Sequence, residues 1–282
     1  MEPVMAGAIA KLDPAVDEGA RVAGNLLQRL LGPSADVIGQ DWAAAISRRN
    51  LQRLLKKTEA RSKGENPGIV PPRVASQVFE AAQYADAELI SEYLSGILAS
   101  SRDGQGSNDA GVSWSSLVSR LSSDQVRLHY LFYASMREAT IIAGVERASE
   151  LHGKDALLPL QELVYKCDFG VDVKNRLSDA IDGLMREDLF SDSYGYGSIE
   201  QVEQLDHHPG KVLHAPFDRA MRFGMTIHGI RLCVWGLGQA SLGTDAYSDG
   251  SVNMELVDAE LLPSPIVVGG FYDDFLIPET TD

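Results

Sequence analysis

The basic side chains between positions 48 and 63 are the residues whose type and spacing most readily suggest a chemical role. Arg49, Arg53, Lys56, Lys57 and Lys63 fall roughly on one face of a predicted helix, where they are suited to hold phosphates. The competing interpretation is a solvated helix face that pairs with acidic residues elsewhere, and charge runs are more often of that kind. No aromatic residues are interleaved to stack bases, which disfavours binding to single strands. The run is a candidate contact site for nucleic acid or for a partner protein.

A group of histidines with two aspartates is the second candidate site. His207, His208 and His214 lie near Asp206 and Asp218 in the sequence. Structural zinc takes four ligands in a tetrahedron, whereas adjacent histidines point in different directions. Neither a C-x-x-C nor an H-x-x-x-H spacing accompanies them. The pattern favours a surface loop, and we predict no metal site and no cofactor.

The two cysteines are the remaining candidates for a nucleophile, which would need a neighbouring base. Cys233 lies within an apolar run and is predicted to be a buried small hydrophobe. Cys167 has only Lys166 and Asp168 beside it. No G-x-S-x-G, Walker or G-x-G-x-x-G motif is present. We therefore predict a protein that is not an enzyme. Two cysteines are too few for a disulfide framework, which favours a reducing cytoplasm.

The chain as a whole is acidic and long enough for two compact domains. It has 282 residues, of which 44% are hydrophobic, and a formal charge of −15. This charge repels nucleic acid and anionic membranes at long range. No stretch reaches the roughly 18 consecutive apolar residues of a membrane span. A predicted amphipathic helix at residues 14–31 carries only Arg21 and Arg29 as cations, so membrane docking is less favoured than a core or oligomer contact.

Apolar periodicity predicts a mainly α fold with a small β component. We divide the chain into an N-terminal helical arm at 1–66, a central helical bundle at 67–152, a unit at 153–240 and a tail at 241–282. Helices are predicted at 33–63 and in the central bundle, where Ser122 and Gln125 form the pattern of a capping box. A further helix is predicted near 157–165.

The unit at 153–240 has the element order of a winged helix. A helix at 171–189 is followed by a polar irregular loop at 191–210, a strand at 219–226 and a helix at 227–237. The loop corresponds to the wing. The first helix carries Lys174, Arg176 and Arg186 against five acidic residues, which disfavours phosphate contact and favours a protein contact. In the tail, two strands are predicted at 252–262 and 266–276.

A series of motifs in the central stretch resembles a known family. Pro71 and Pro72 precede an AA-x-x-x-D-x-E-L helix at 81–89. A polar loop, a short helix with Trp114 and an L-S-x-D motif at 121–124 follow. This order resembles the Abi-alpha (abortive infection alpha) family over about residues 32–238, and the tail departs from the pattern. Further matching positions are Asp41, Arg48, Asn50, Lys56, Gly183, Leu184, Phe190, Phe223 and Gly224.

The resemblance implies a role in bacterial defence against phage by abortive infection. It does not imply a molecular mechanism. We expect action through protein or nucleic-acid contacts, with a partner protein or self-association favoured and nucleic acid as a second choice. Two alternatives stay open: a nucleic-acid-binding regulator built on the winged-helix-like unit, and a membrane-perturbing effector acting through the N-terminal amphipathic helices.

Overall fold

The structure is a computed structural model that describes residues 25, 27–30, 32, 48–61, 68–83, 85, 87–205, 208–260, 262–267 and 269–279. Within these residues the fold is mainly α with a small antiparallel β part, which confirms the predicted fold class. The predicted helix at 14–31 and the first half of the one at 33–63 lie largely outside the described residues. The boundaries of the four predicted units stay a prediction.

In the described residues, α-helices both precede the first strand and follow it along the chain. Polar side chains cap the N-termini of some of these helices and so fix where they begin. Ser122 accepts a hydrogen bond from the backbone of Gln125, and the Gln125 side chain returns one, so the predicted capping box is confirmed. Thr226 caps the last helix through the backbone N–H of Gly229. The helices are α1 (Arg48–Arg61), α2 (Pro72–Gln83), α3 (Glu88–Ser100), α4 (Gly111–Arg120), α5 (Ser123–Ile142), α6 (Leu160–Cys167), α7 (Val173–Arg186), α8 (Ile199–Glu203) and α9 (Ile227–Gly236).

A four-stranded antiparallel sheet lies among the later helices. Its strand order is β2-β4-β1-β5, and a separate two-stranded sheet pairs β3 with β6. In the register, Tyr194 faces Phe223 and Leu158 faces Met221. The strands are β1 (Asp155–Pro159), β2 (Phe190–Ser198), β3 (Lys211–Leu213), β4 (Arg219–Met225), β5 (Gly270–Phe271) and β6 (Leu276–Pro278).

Three local predictions were wrong. The segment predicted as an irregular loop at 191–210 contains most of β2 and all of α8, because pairing with β4 overrides the weak strand propensity of glycine and serine. The helix predicted near 157–165 begins only at Leu160, after strand β1. The tail segment at 252–262 forms no strand in its described part, and the segment at 266–276 contributes only β5, a 3₁₀ turn and the first residue of β6.

The larger of two apolar clusters in the described residues runs through the helices and against the sheet. Rings of Phe132, Phe190 and Phe223 join α5 to β2 and β4, with centroids 4.6–5.1 Å apart. Helices α3 and α9 approach each other closely at Gly96 and Gly236. A Cβ atom at Gly96 would lie 1.8 Å from the Gly236 carbonyl oxygen, so glycine is required there. This contact brings α9, and the tail that follows it, against α3.

Candidate functional site

The predicted basic run belongs to α1, and its described side chains face different surroundings. Lys56 is exposed, whereas Arg53 is half-buried and Lys57 is buried. Arg49 lies in α1, but its side chain and all of Lys63 lie outside the described residues. The predicted contact with nucleic acid or a partner stays a prediction, and Lys56 is the described member of the set that presents its charge to solvent.

Lys57 is the centre of a cluster of ion pairs between α1, α3 and the tail. Its Nζ atom lies 2.5 Å from Glu88 Oε1, 2.7 Å from Glu92 Oε1 and 2.8 Å from Asp258 Oδ2. Arg53 also pairs with Glu88. Burial lowers the pKa of Lys57, but hydrogen bonds to the three carboxylates raise it, and the net pKa lies above the ordinary value. Lys57 is therefore held as a cation.

Arg61 extends this cluster to the backbone of the tail. Its guanidinium pairs with Glu92 and donates from Nη1 to the carbonyl oxygens of Leu237 (3.0 Å) and Glu255 (3.4 Å). Glu92, fully buried, accepts from the backbone N–H groups of Val257 (3.5 Å) and Asp258 (3.3 Å). These charges hold the tail on α3. The tail contact could not be read from the sequence, since its partners lie far apart in the chain.

Helix α7 carries the charges that the winged-helix interpretation would use. Arg176 donates to Asp124 of α5 at 2.6 and 2.8 Å, and this pair raises the pKa of Arg176. Lys174 and Arg186 are exposed, as are Asp179 and Asp182. The exposed face of α7 is therefore mixed in charge.

A groove of about 470 Å³ lies between α6, α7 and the strands β2 and β4. Leu160 and Leu177 form buried parts of its wall, while Tyr196 is 37% exposed. Lys174 and Arg219 are exposed and form no ion pair within the described residues. No sequence pattern indicates this groove, because four separate elements supply its lining. It is lined by Leu160, Gln161, Val164, Val173, Lys174, Leu177, Tyr196 and Arg219.

Both candidate nucleophiles, Cys167 and Cys233, are buried, and so is His129. Burial raises the pKa of the Cys167 and Cys233 thiols to about 12, so neither is a thiolate at neutral pH. His129 is fully buried between the Tyr93 hydroxyl (2.8 Å) and the Gly229 carbonyl oxygen (3.1 Å). Burial lowers the pKa of His129 to about 3. The imidazole is therefore a neutral structural link between α3, α5 and α9.

The described histidines of the second candidate site serve local contacts. The His208 ring lies 5.6 Å from that of Tyr272, and the His214 backbone N–H donates to the Phe275 carbonyl at 2.8 Å. His207 and Asp206 lie outside the described residues. Among the residues that the structure describes, no group of three or more His, Cys, Asp or Glu side chains is arranged to hold a metal ion.

These features define a mainly α protein with a small antiparallel sheet, a tail clamped by buried ion pairs and an apolar groove beside the sheet. The chain belongs to the abortive infection alpha family, whose match spans residues 46–214, more than half of its length. This confirms the predicted resemblance, and the family name associates the chain with abortive infection. Neither a curated protein nor a solved structure matches the chain. In the described residues, none of the helices combines the length and apolar character that crossing a membrane requires.

Proposed function

We propose that this chain acts in bacterial defence against phage, in the cytoplasm, by binding a partner protein rather than by catalysis. The observation that carries the proposal is the apolar groove between α6, α7, β2 and β4. All its lining residues except Arg219 lie within the span that matches the family. Family membership supports the biological role, and the groove supports the mode of action.

The lining of the groove indicates the chemistry of the partner segment. Val164, Val173 and Leu177 offer an apolar floor, and apolar anchors in such pockets dominate the energy of protein recognition. Lys174 and Arg219 add two exposed cations to a chain of net charge −15. A segment with apolar anchor side chains and a carboxylate is complementary to both features.

The use of the polar side chains within the fold supports a binding protein. Lys57, Arg61 and Glu92 hold the tail, and His129 links three helices. Each of these side chains forms contacts within the fold. We therefore infer a structural role for them and not a role in catalysis. A purified chain that hydrolyses a nucleotide or nucleic acid without a partner would contradict the proposal.

An infection assay tests the groove directly. Cells that express the chain are expected to reduce phage plating efficiency, and Val164→Asp or Val173→Asp is expected to abolish the reduction because a buried carboxylate blocks apolar docking. Ile142→Asp is the matched control, since Ile142 is 85% exposed at the end of α5, outside the groove. Thermal unfolding must show that all three variants fold. Full protection by both groove variants would exclude the groove.

A photo-crosslinking residue at position 196 adds a molecular readout. It is expected to capture one protein in infected cells from the wild-type chain and from Ile142→Asp. The Val173→Asp variant is expected to lose that product. A product that Val173→Asp retains would place the contact outside the groove.

Nucleic-acid binding is the second candidate, and the strand order favours it. The chain runs α5, β1, α6, α7, β2, α8, β3 and β4, and β4 lies between β1 and β2 in the sheet. Apart from the insertion of α8 and β3, this order resembles that of a winged helix, with α7 in the position of the recognition helix. The mixed charges on α7 make this the weaker candidate. Two results would together favour nucleic acid over the protein partner. The chain would bind duplex DNA with an affinity that falls steeply with salt, and either the double variant Lys174→Glu/Arg186→Glu or the single variant Lys56→Glu would remove that binding.

A further inference from the structure

The four-stranded sheet beside the groove has an open edge along β2. This strand is the first in the order β2-β4-β1-β5, and in the described residues its pairing is with β4. From Tyr194 to Ser198 the pairing is regular, after a register shift that follows Phe190. The outer side of such an edge strand presents backbone N–H and C=O groups to which another chain can add as a further strand.

The register determines which backbone groups of β2 face this edge. Ile199 continues the pairing of β2, and its N–H donates to the Asp218 carbonyl oxygen at 3.1 Å, so position 199 faces β4. Successive residues of a paired strand face opposite sides. Positions 195 and 197 therefore also face β4, whereas the backbone groups of Tyr194, Tyr196 and Ser198 face the open edge.

Two of these three residues keep both backbone groups available to a partner. The Ser198 N–H donates to Gln201 Oε1 at 2.9 Å in the capping box of α8. No hydrogen bond from another described residue reaches the backbone N–H or the carbonyl oxygen of Tyr194 or Tyr196. The edge of β2 thus offers two donors and two acceptors at alternate positions, which is the spacing that an added strand requires.

A strand added at this edge would direct alternate side chains to the groove. Tyr196 of β2 and Arg219 of β4 line the groove together with α6 and α7, so these helices cover the Tyr196 face of the sheet. Arg219 lies opposite Ser198 in the register. It therefore marks the end of the edge at which the groove is cationic, and Lys174 lines the groove with it. A carboxylate at that end of an added strand is complementary to both charges.

We propose that the partner segment binds as an added β-strand on the open edge of β2. This inference rests on the proposed function and specifies the partner as an extended segment with apolar side chains at alternate positions and a carboxylate beside Ser198. Backbone hydrogen bonds to Tyr194 and Tyr196 supply affinity, and the groove selects among side chains. The competing arrangement is a helical segment in the groove, which needs no backbone contact with β2.

Tyr196→Pro tests the backbone contact. Proline removes the N–H that faces the edge and leaves the ladder to β4 intact, because the neighbouring residues form that ladder. Tyr196→Val is the matched control, since it removes the same ring but keeps the N–H and favours a strand. In the infection assay, Tyr196→Val is expected to retain most of the protection, and Tyr196→Pro to reduce it about tenfold or more. Equal protection by the two variants, whether full or lost, would overturn strand addition.

The groove variants separate this inference from the proposed function. Loss of protection in Val173→Asp together with full protection in Tyr196→Pro would show that the groove binds its partner without an added strand. Full protection by both Val164→Asp and Val173→Asp would remove the proposed function itself.

A peptide titration of the wild-type chain makes the test independent of how the variants fold. The probe is a short acetylated peptide of alternating valine and threonine that ends in aspartate. In NMR spectra of the ¹⁵N-labelled chain, the amide signals of Tyr194 and Tyr196 are expected to shift saturably with this probe. A peptide with lysine in place of aspartate is expected to bind severalfold more weakly, because it reverses the charge beside Lys174 and Arg219.

Two N-methylated forms of the probe report the backbone contact directly. One carries the methyl groups on the valine amides and the other on the threonine amides, so only one of them blocks the N–H groups that face β2. That form is expected to bind about tenfold or more weakly than the other, and its identity gives the direction of the added strand. Equal affinity of the two forms, or amides of Tyr194 and Tyr196 that do not respond to millimolar probe, would overturn strand addition.

Discussion

Two regions of this molecule are held together by different forces. In the ion-linked region, defined as α1, α3 and tail residues 255–258, a fully buried Glu92 meets Lys57 and Arg61. In the aromatic region, defined as α5, β2 and β4, Phe132 and Phe223 are fully buried and pack edge to face, with their ring centroids 5.1 Å apart. Charges dominate the first contact and apolar surface dominates the second.

The difference concerns specificity more than strength. Apolar packing is non-directional and accepts substitutes of similar volume. A buried ion pair adds little net stability, because desolvation offsets attraction, yet losing one partner leaves an uncompensated charge. We infer that the cluster around Glu92 determines which segment of the chain covers α3. The aromatic region contributes general cohesion between the helices and the sheet.

The largest expected effect follows from Glu92→Gln. It removes the carboxylate that pairs with the Arg61 guanidinium and one of the three carboxylates around Lys57. Because the Arg61 charge then lacks its partner, we expect the free energy of unfolding to fall by about 3 kcal/mol or more. Urea unfolding followed by circular dichroism measures the loss. Arg73→Gln is the control, because Arg73 and Asp109 pair on the surface with side chains 74% and 59% exposed. Its expected cost is about 0–1 kcal/mol. Similar costs for the two variants would contradict the comparison.

His129 of α5 contacts Tyr93 of α3 and so lies where the two regions meet. We expect this residue to make the free energy of unfolding depend on pH. The Gly229 carbonyl can only accept, so Nε2 carries the proton and Nδ1 accepts from the Tyr93 hydroxyl. Its pKa is lowered to about 3 in the folded chain, against about 6.5 when unfolded. The unfolded chain therefore binds the extra proton first as the pH falls. Stability is fully present above the unfolded pKa and decreases below it.

The expected loss from this group between about pH 7.5 and about pH 5 is roughly 2 kcal/mol. Carboxylates and His228 also titrate, so the measurement is a difference between the wild-type chain and His129→Gln. Glutamine can accept from Tyr93 and donate to Gly229 but takes up no proton. The pH dependence of the unfolding free energy should be shallower in the variant by about this amount. Identical pH profiles would show that His129 is not buried as a neutral ring.

Local patterns predicted the elements that depend on nearby residues. The capping box at Ser122 and Gln125 and the buried face of α3, with Leu94 and Ile97, were readable from spacing alone. Strand β2 was not, since Gly195 and Gly197 have low strand propensity and their pairing with β4 is a tertiary effect. Sequence thus predicted the fold class and missed part of the sheet.

The candidate sites were less predictable, because they combine distant segments. The sequence placed Lys57 on a helix but could not show that Glu92 and Asp258 would enclose it. Periodicity gives the face of a residue on its own helix and not the charge of whatever packs there. The groove was unpredictable for the same reason, because α6, α7, β2 and β4 each supply part of its lining.

The smallest expected effect, from Phe223→Leu, sharpens the comparison most directly. Leucine retains much of the buried apolar surface, so we expect a loss of about 1 kcal/mol or slightly more in the free energy of unfolding. Hydrogen exchange separates it from Glu92→Gln. The amides of Val257 and Asp258 donate to Glu92, so Glu92→Gln should accelerate their exchange beyond what its global destabilisation explains. Phe223→Leu should change those amides only through the global loss, because the Phe223 ring packs against Phe132 and Phe190 and not against Glu92. Selective exposure of Val257 and Asp258 in Phe223→Leu would mean that aromatic packing, and not the buried charge, keeps the tail on α3.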